Sequence, residues 1–223
     1  MTSVAIATAT RAERRAPIPE RIVDFEGLLG REVWNSLPAA VRLRFGHDSC
    51  ARPHVYAGDM VVRASTIGFL IAQLCRLIGT PLAPWRGEAV PVSVDVWTDP
   101  RGALVWDRVY RFEGRQPVAV SSRKIVSRRG LVEIVKGGLG MALDLTAENG
   151  ALHFRSTGYF LELGHERLRL PIPGWLTPGR AHVVHQDEGT GPDGRGRFRF
   201  SLQFVHPLFG ETIFQEGVFA DPE

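Results

Sequence analysis

The chain has 223 residues, of which 44% are hydrophobic and 23% are charged, and its formal net charge is +3. This composition is ordinary for a globular protein and excludes a disordered chain. The longest apolar run, at residues 67–74, is far shorter than the roughly 20 residues of a membrane-spanning helix, so no membrane partner is expected.

The N-terminal segment lacks the apolar stretch of a secretion signal. Residues 1–23 contain four arginines and two prolines among alanines and threonines. We therefore predict a mobile tail at 1–23, followed by one β-rich domain at 24–223. The two cysteines, Cys50 and Cys75, form neither a disulfide framework nor a metal motif, which favours a cytoplasmic protein without a metal site.

The basic residues do not form a pattern typical of nucleic-acid binding. The nearest group is Arg123, Lys124, Arg128 and Arg129, and a solvated strand end accounts for it equally well. The chain also lacks a P-loop and a Gly-x-Gly-x-x-Gly turn that opens a helix. We therefore expect neither a nucleic-acid partner nor a cofactor.

The first elements are predicted to be helical. Residues 26–46 suit two helical pieces, with Pro38 in the first turn of the second. A strand is predicted at 55–65 and an amphipathic helix at 66–78, with Gly79 ending the helix. The expected apolar side of that helix consists of Ile67, Leu70, Ile71, Leu74, Leu77 and Ile78.

From Val90 onward the hydrophobic period changes from 3.6 to 2, which indicates strands. Asn149-Gly150 is the strongest hairpin signal, because a type I′ turn needs positive φ at both central residues. The predicted strands after residue 90 include 118–126, 131–135, 141–145, 152–156, 160–163, 181–187, 197–205 and 212–219.

About ten short strands joined by tight turns predict an antiparallel sheet, since no helical crossover follows residue 80. So many strands tend to curl, and closure removes the exposed edges. The expected fold is mainly β: a curved antiparallel sheet or a closed β-barrel, with N-terminal helices and the 66–78 helix as a plug. A β-sandwich is the alternative.

Arg108 is the most informative residue for function. By alternation it shares a strand face with Trp106 and Tyr110, which should point inward. A buried guanidinium needs a partner, because an unpaired buried charge is very costly. It either has a structural role, in an ion pair with an inward acid such as Glu216 or stacked on Trp106 or Tyr110, or it binds an anion or carbonyl group in a cavity.

Two further residues are candidates for proton transfer. His185 shares a face with Ala181 and Val183, so it is expected to point inward, either as an acid or base or as a buried neutral histidine. Glu216 shares a face with Phe214 and Val218, and we expect that face to point inward as well.

A set of short motifs runs through roughly residues 25–222: Leu29-Gly30, Trp34, Leu37-Pro38, Trp106, Arg108, Phe112, Ser122, Leu170-Pro171-Ile172-Pro173, Phe198, Phe200, His206-Pro207-Leu208-Phe209-Gly210 and Gly217. In combination they resemble a bacterial family that is known only as a domain of unknown function. The resemblance implies that the domain stands alone or behind saccharopine-dehydrogenase-like reductase domains, which makes a reductase an expected partner. In the strand after the Pro-x-Pro stretch the sequence departs from the family, which has an acid where this chain has His185-Gln186-Asp187.

The leading hypothesis is a cofactor-free cyclase or isomerase that holds an apolar, polyketide-like intermediate in the barrel. Arg108 would polarise a carbonyl or bind a carboxylate, and His185 or Glu216 would move a proton. The expected ligand-binding residues are Trp106, Tyr110, Ser122, Phe200 and Phe204. The alternatives are a non-catalytic carrier of the same ligands, and a reductase-docking domain with a solid core and an exposed apolar patch.

Overall fold

The structure is a computed structural model that describes residues 22–77, 82–127, 130–163 and 168–222. Most of the predicted tail, residues 1–21, and the predicted helix end at residues 78–79 lie outside this part, whereas Val23 is already buried in the core. Among the described residues, no helix is both long enough and apolar enough to cross a membrane.

The described elements are five α-helices and eleven strands, with one short 3-10 turn at Gly174–Leu176. The helices are α1 (Phe25–Leu29), α2 (Arg31–Ser36), α3 (Ala39–Phe45), α4 (His47–Cys50) and α5 (Thr66–Leu77). The strands are β1 (His54–Ala64), β2 (Gly87–Thr98), β3 (Leu104–Tyr110), β4 (Val118–Ser127), β5 (Gly130–Val135), β6 (Leu139–Glu148), β7 (Ala151–Leu163), β8 (Leu168–Ile172), β9 (Arg180–Thr190), β10 (Gly196–His206) and β11 (Gly210–Ala220).

Ten strands close into an antiparallel barrel. Their order is β6-β5-β4-β3-β2-β1-β11-β10-β9-β7, and β7 pairs back onto β6. β8 lies outside the ring and pairs with β7. The prediction of a closed antiparallel barrel with N-terminal helices is confirmed, and closure leaves no room for the two separate sheets of a sandwich.

The β6–β7 hairpin forms as predicted at Asn149-Gly150, whose φ angles are +52° and +74°. The two strands predicted at 152–156 and 160–163 are one continuous strand, β7. Its first half pairs with β9 and its second half pairs with β8. β8 was not predicted, because it has only five residues and contains Pro171. A proline normally interrupts a strand and is tolerated at the edge of a sheet, where β8 lies.

The buried side of α5 differs from the expected one. Gly68, Ala72 and Cys75 are buried, whereas Leu70 and Leu74 are 52% and 62% exposed. The reason is a close approach, because a side chain at Gly68 would collide with the backbone carbonyl of Thr212 on β11. The small residues therefore turn toward the barrel wall and the leucines turn away from it.

The barrel interior is filled by aromatic and aliphatic side chains from alternate positions of its strands. Helical side chains enter this interior cluster from α1–α4, including Phe25, Val41 and Phe45, and none of the described side chains of α5 belongs to it. Phe25 packs edge-on against Phe45 and Phe154, with ring centroids 5.3 and 6.0 Å apart. The N-terminal helices, rather than the predicted 66–78 helix, thus close the end of the barrel where the site lies.

Candidate functional site

Strand alternation places Arg108 inside the barrel, as predicted. The register pairs Trp106 of β3 with Ser122 of β4, and Lys124 of β4 with Glu133 of β5. Because residues directly opposed in a sheet point to the same face, these five side chains gather on one inner wall.

Two positive charges and one negative charge lie on this wall. Lys124 Nζ lies 3.2 Å from Glu133 Oε2, and Arg108 Nη2 lies 3.9 Å from Glu133 Oε1. The side chains of Arg108, Lys124 and Glu133 are 11%, 3% and 7% exposed. Arg108 Nη2 also donates a hydrogen bond of 2.9 Å to Ser122 Oγ. Two cations therefore share one carboxylate in a water-poor interior.

The neighbouring charges control the ionisation of this group. Burial raises the pKa of Glu133, but the charges of Lys124 and Arg108 and the hydrogen bonds of Ser122 and Lys124 together outweigh it and hold that pKa below its usual value. Burial lowers the pKa of Lys124, and Glu133 offsets part of the change. The Lys124 ammonium also lies 3.8 Å from the centre of the Trp106 ring, a cation–π contact that favours its charged form.

The sequence reasoning missed Lys124 and Glu133 as interior residues. The sequence places Lys124 in a basic group that a solvated strand end would explain. Its alternation with Val120 and Ser122 on β4, however, indicates that it shares their inward face. Glu133 lies among buried neighbours on both faces of β5, so its direction was not evident from alternation.

Glu216 is not the partner of Arg108, and the prediction that it points into the barrel is wrong. The inward residues of β11 include Gln215, opposite Val62 of β1, and Gly217, so Glu216 points outward. Its Oε1 accepts a hydrogen bond of 3.1 Å from Arg199 Nη1 on the outer surface. The phase of this strand was misjudged because apolar residues occupy both of its faces.

His185 points inward and is surrounded by aromatic rings. Its ring centroid lies 4.9 Å from that of Phe45, 5.2 Å from those of Trp106 and Phe200, and 5.6 Å from that of Phe198. Burial lowers the pKa of His185 well below its usual value, and Lys124, Arg44 and Arg108 lower it further. The imidazole is therefore neutral at pH 7.

A cavity lies beside these residues, between the barrel wall and the N-terminal helices. Its volume is about 40 Å³, which is room for roughly three waters at 10–15 Å³ each. Its walls are mainly apolar and include Phe45, Met60, Phe198, Phe200 and Phe219.

Unpartnered polar atoms concentrate around this cavity. Among the described residues, five buried side-chain nitrogens lack a hydrogen-bond partner, and four of them belong to residues that line it. These four are His54 Nε2, Trp106 Nε1, Arg108 Nε and His185 Nε2. Such groups are rare in a folded interior, so a cluster of four indicates a place for a polar ligand or water.

The predicted ligand-binding residues divide into two groups. Trp106 and Phe200 line the cavity, and Ser122 holds Arg108. Tyr110 is inward, but its hydroxyl donates to Gln215 Oε1 at 2.8 Å, and Phe204 is buried away from the cavity wall. These two residues therefore belong to the supporting core.

The cavity is capped by α3 and α4, which are anchored by Arg44. Its guanidinium donates to both carboxylate oxygens of Asp221, at 2.7 and 2.8 Å, and to Asp187 Oδ1 at 2.9 Å. It also lies 5.0 Å from the centre of the Phe198 ring. Sequence patterns do not predict this anchor, because its three residues are distant in the chain. Asp187, from the segment that departs from the family pattern, is one of its two acids.

Cys50 of α4 reaches the cavity from the cap. Burial raises the pKa of its thiol to about 12, so the thiol is protonated at neutral pH and is a poor nucleophile. Among the described residues, no group of three or more His, Cys, Asp and Glu side chains is arranged to hold a metal ion.

Exposed apolar side chains collect at another surface, near β8 and the 3-10 turn. Trp175 and Leu176 are exposed, and the Trp175 carbonyl lies 3.3 Å from His206 Nε2, whose ring stacks on exposed Phe209. Leu170 of β8 and Leu208 are exposed as well. The docking hypothesis requires such a surface and stays a prediction beside ligand binding.

Comparisons with known proteins give one match, at the level of the family. No curated protein and no solved structure matches the chain. A family model described as a domain of unknown function, DUF4166, matches residues 37–219. This range contains the residues of the inner wall and of the cavity. It also contains Arg44 and Asp187 of the anchor, whereas Asp221 lies just beyond it. The chain therefore belongs to the DUF4166 family.

Proposed function

We propose that the barrel binds a small, mainly apolar molecule that carries an oxygen acceptor. The observation that supports this is the cluster of four unpartnered nitrogens on an aromatic-lined cavity. Trp106 Nε1 and Arg108 Nε carry hydrogen and can only donate, so the missing group must accept. A few polar groups on an apolar wall are the usual composition of a small-molecule site.

The present volume of about 40 Å³ corresponds to a closed state, so an organic ligand needs the cap to move. The cap is a separate segment, α3 and α4, whose polar anchor is Arg44 on Asp187 and Asp221. Breaking that anchor and withdrawing Phe45 would enlarge the cavity without disturbing the strand pairing of the barrel. The proposal therefore includes a cap that opens to admit the ligand.

Acetophenone, an aromatic ring with one carbonyl oxygen, is a suitable probe. We expect it to shift the indole N–H resonance of Trp106 in a nitrogen-15 spectrum, with the resonance assigned by loss in Trp106→Phe. The variant Val94→Phe should abolish the shift, because Val94 lines the cavity and a larger ring fills it. The control Val55→Phe adds the same ring at an exposed position of β1 and should leave the shift intact. No shift in the natural chain would contradict the proposal.

Catalysis of proton transfer is a second candidate, favoured by the neutral His185 with its free Nε2 at the cavity. His185 Nε2 would take a proton from the carbon beside a carbonyl group. The electron pair of that C–H bond would form an enolate, whose oxygen accepts a hydrogen bond from Arg108. In a β,γ-unsaturated ketone, return of the proton from His185 Nε2 to the γ-carbon of the dienolate would complete an isomerisation. In a diketone, attack of the enolate carbon on the second carbonyl would close a ring, and the alkoxide formed would take the proton back from His185 Nε2.

The first half of this mechanism can be measured with the same probe. In deuterium oxide, we expect the protein to catalyse deuterium uptake into the methyl group of acetophenone. His185→Gln should slow this exchange at least tenfold, since general-base catalysis contributes about 10²–10⁴-fold. Exchange that persists unchanged in both His185→Gln and Arg108→Gln would leave a binding domain without this chemistry.

A further inference from the structure

The charges on the inner wall indicate which charge the ligand should carry. Lys124 and Glu133 are buried and Arg108 is 11% exposed, so two largely enclosed positive charges face one negative charge. Nearby His185 is neutral and therefore adds no third positive charge. The acids that anchor the cap, Asp187 and Asp221, are engaged by Arg44 and are more exposed, at 22% and 29%.

Arg108 lies farther from the Glu133 carboxylate than Lys124 does and interacts with it more weakly. Its distance to Glu133 is 3.9 Å, against 3.2 Å for Lys124, and its own direct hydrogen bond goes to the neutral Ser122. Its Nε has no partner among the described residues. A guanidinium stays charged in a protein, so burial leaves it in need of a negative partner.

The neighbouring donor is placed to share such a partner. Trp106 and Arg108 are two residues apart on one face of β3, so their backbones are roughly 7 Å apart. A carboxylate between their side chains can accept from Trp106 Nε1 with one oxygen and from Arg108 Nε with the other. Its apolar body would then lie against Phe45, Phe198 and Phe200.

We infer that the natural ligand is a small monocarboxylate, bound as its anion, with the carboxylate on Arg108 and Trp106 and the apolar body against the aromatic rings. This inference rests on the proposed ligand-binding function and selects one ligand class within it. A single negative charge balances the wall, because Arg108 and Lys124 would then face Glu133 and the ligand.

Benzoate and benzamide test the inference, because they have nearly the same shape and differ in charge. In calorimetry on the full chain, we expect benzoate to bind at least tenfold more tightly than benzamide. Arg108→Gln should remove this preference, because losing the guanidinium should weaken benzoate binding at least tenfold more than benzamide binding. The matched control Arg111→Gln changes an exposed arginine just beyond β3 and should retain the preference. Equal affinity for both probes, or a preference that survives in Arg108→Gln, overturns the inference.

A second variant covers the case in which Arg108→Gln does not fold. Trp106→Phe keeps an aromatic ring under Lys124 but removes the N–H donor, and it should weaken benzoate binding several-fold more than benzamide binding. Equal weakening of both probes counts against the carboxylate geometry. If benzamide binds at the cavity as tightly as benzoate, ligand binding stands and the monocarboxylate inference fails. If acetophenone shifts the Trp106 indole resonance but benzoate does not, only the monocarboxylate inference fails. If none of the three probes shifts it, both proposals fail.

Discussion

Lys124 and Glu133 face each other across β4 and β5 and form an ion pair of 3.2 Å inside the barrel. The pair lies 3% and 7% exposed, beside the second cation Arg108, so the carboxylate is the local counter-charge of two cations. Removing one member of a buried ionic group leaves the others unpaired in a medium that solvates them poorly. This relationship makes Glu133 the critical residue of the inner wall.

The first prediction concerns this carboxylate. Glu133→Gln should lower the free energy of unfolding by about 3–5 kcal/mol, as measured by urea denaturation, because it leaves two buried cations without a counter-charge. The control Glu216→Gln breaks an exposed pair with Arg199 and should cost at most about 1 kcal/mol. A comparable loss in the two variants would contradict the assignment of Glu133 as the counter-charge.

The second prediction concerns pH. The folded state holds the pKa of His185 well below its usual value, so the unfolded chain binds a proton there more readily than the folded one. The contribution to stability is therefore fully present above the unfolded value of about 6.5 and is lost as pH falls below it, at up to about 1.4 kcal/mol per pH unit. His185→Gln should reduce the slope of unfolding free energy against pH between 6.5 and 5.

A control for the pH prediction comes from the same strand. The pKa of His182 is also lowered, mainly by burial, but this residue lies on the outer side of β9 and is far less enclosed. His182→Gln should therefore reduce the slope less than His185→Gln does. An equal effect of both substitutions would show that interior burial is not the main cause.

The third prediction concerns the cap. Arg44→Gln removes the hydrogen bonds to Asp187 and Asp221 and should increase the opening of α3 and α4. The buried thiol of Cys50 reports this opening, so its rate of maleimide labelling should rise about tenfold, which corresponds to about 1.4 kcal/mol of lost anchoring. Measurement in a Cys75→Ser background isolates this thiol.

An exposed arginine near the cap provides the comparison. Arg52→Gln changes the same type of side chain close to Cys50 without touching the anchor, and the labelling rate should stay within about twofold. A labelling rate in Arg44→Gln equal to that of the natural chain would mean that packing of Phe45 alone holds the cap closed.

The fourth prediction concerns the contact of α5 with β11. Gly68→Ala should destabilise the domain by roughly 1–3 kcal/mol, because the added carbon collides with the backbone carbonyl of Thr212. Leu74→Ala, on the exposed side of the same helix, should change the unfolding free energy by less than about 0.5 kcal/mol. If Leu74→Ala lowered the unfolding free energy more than Gly68→Ala, the leucine face would be the buried side of α5.

Much of the barrel was predictable because its signals are local. A period of 2 identifies a strand, and Asn149-Gly150 identifies a hairpin, since both depend on residues that are neighbours in the chain. Alternation also placed Trp106 and Arg108 on one face and His185 on the inner side of β9, as the structure has them. The family resemblance was likewise carried by short motifs and is confirmed over residues 37–219.

The tertiary structure alone decided which partners meet. Alternation states which residues of a strand share a face, but when both faces are apolar, as on β11, closure and register decide which face is inward. That is why Arg108 lies near Glu133 rather than Glu216, and why Leu70 and Leu74 of α5 face outward. The residues of the Arg44 anchor come from distant segments of the chain, and so do the four unpartnered nitrogens at the cavity. Each group is assembled only because the closing of ten strands brings those segments to one end of the barrel.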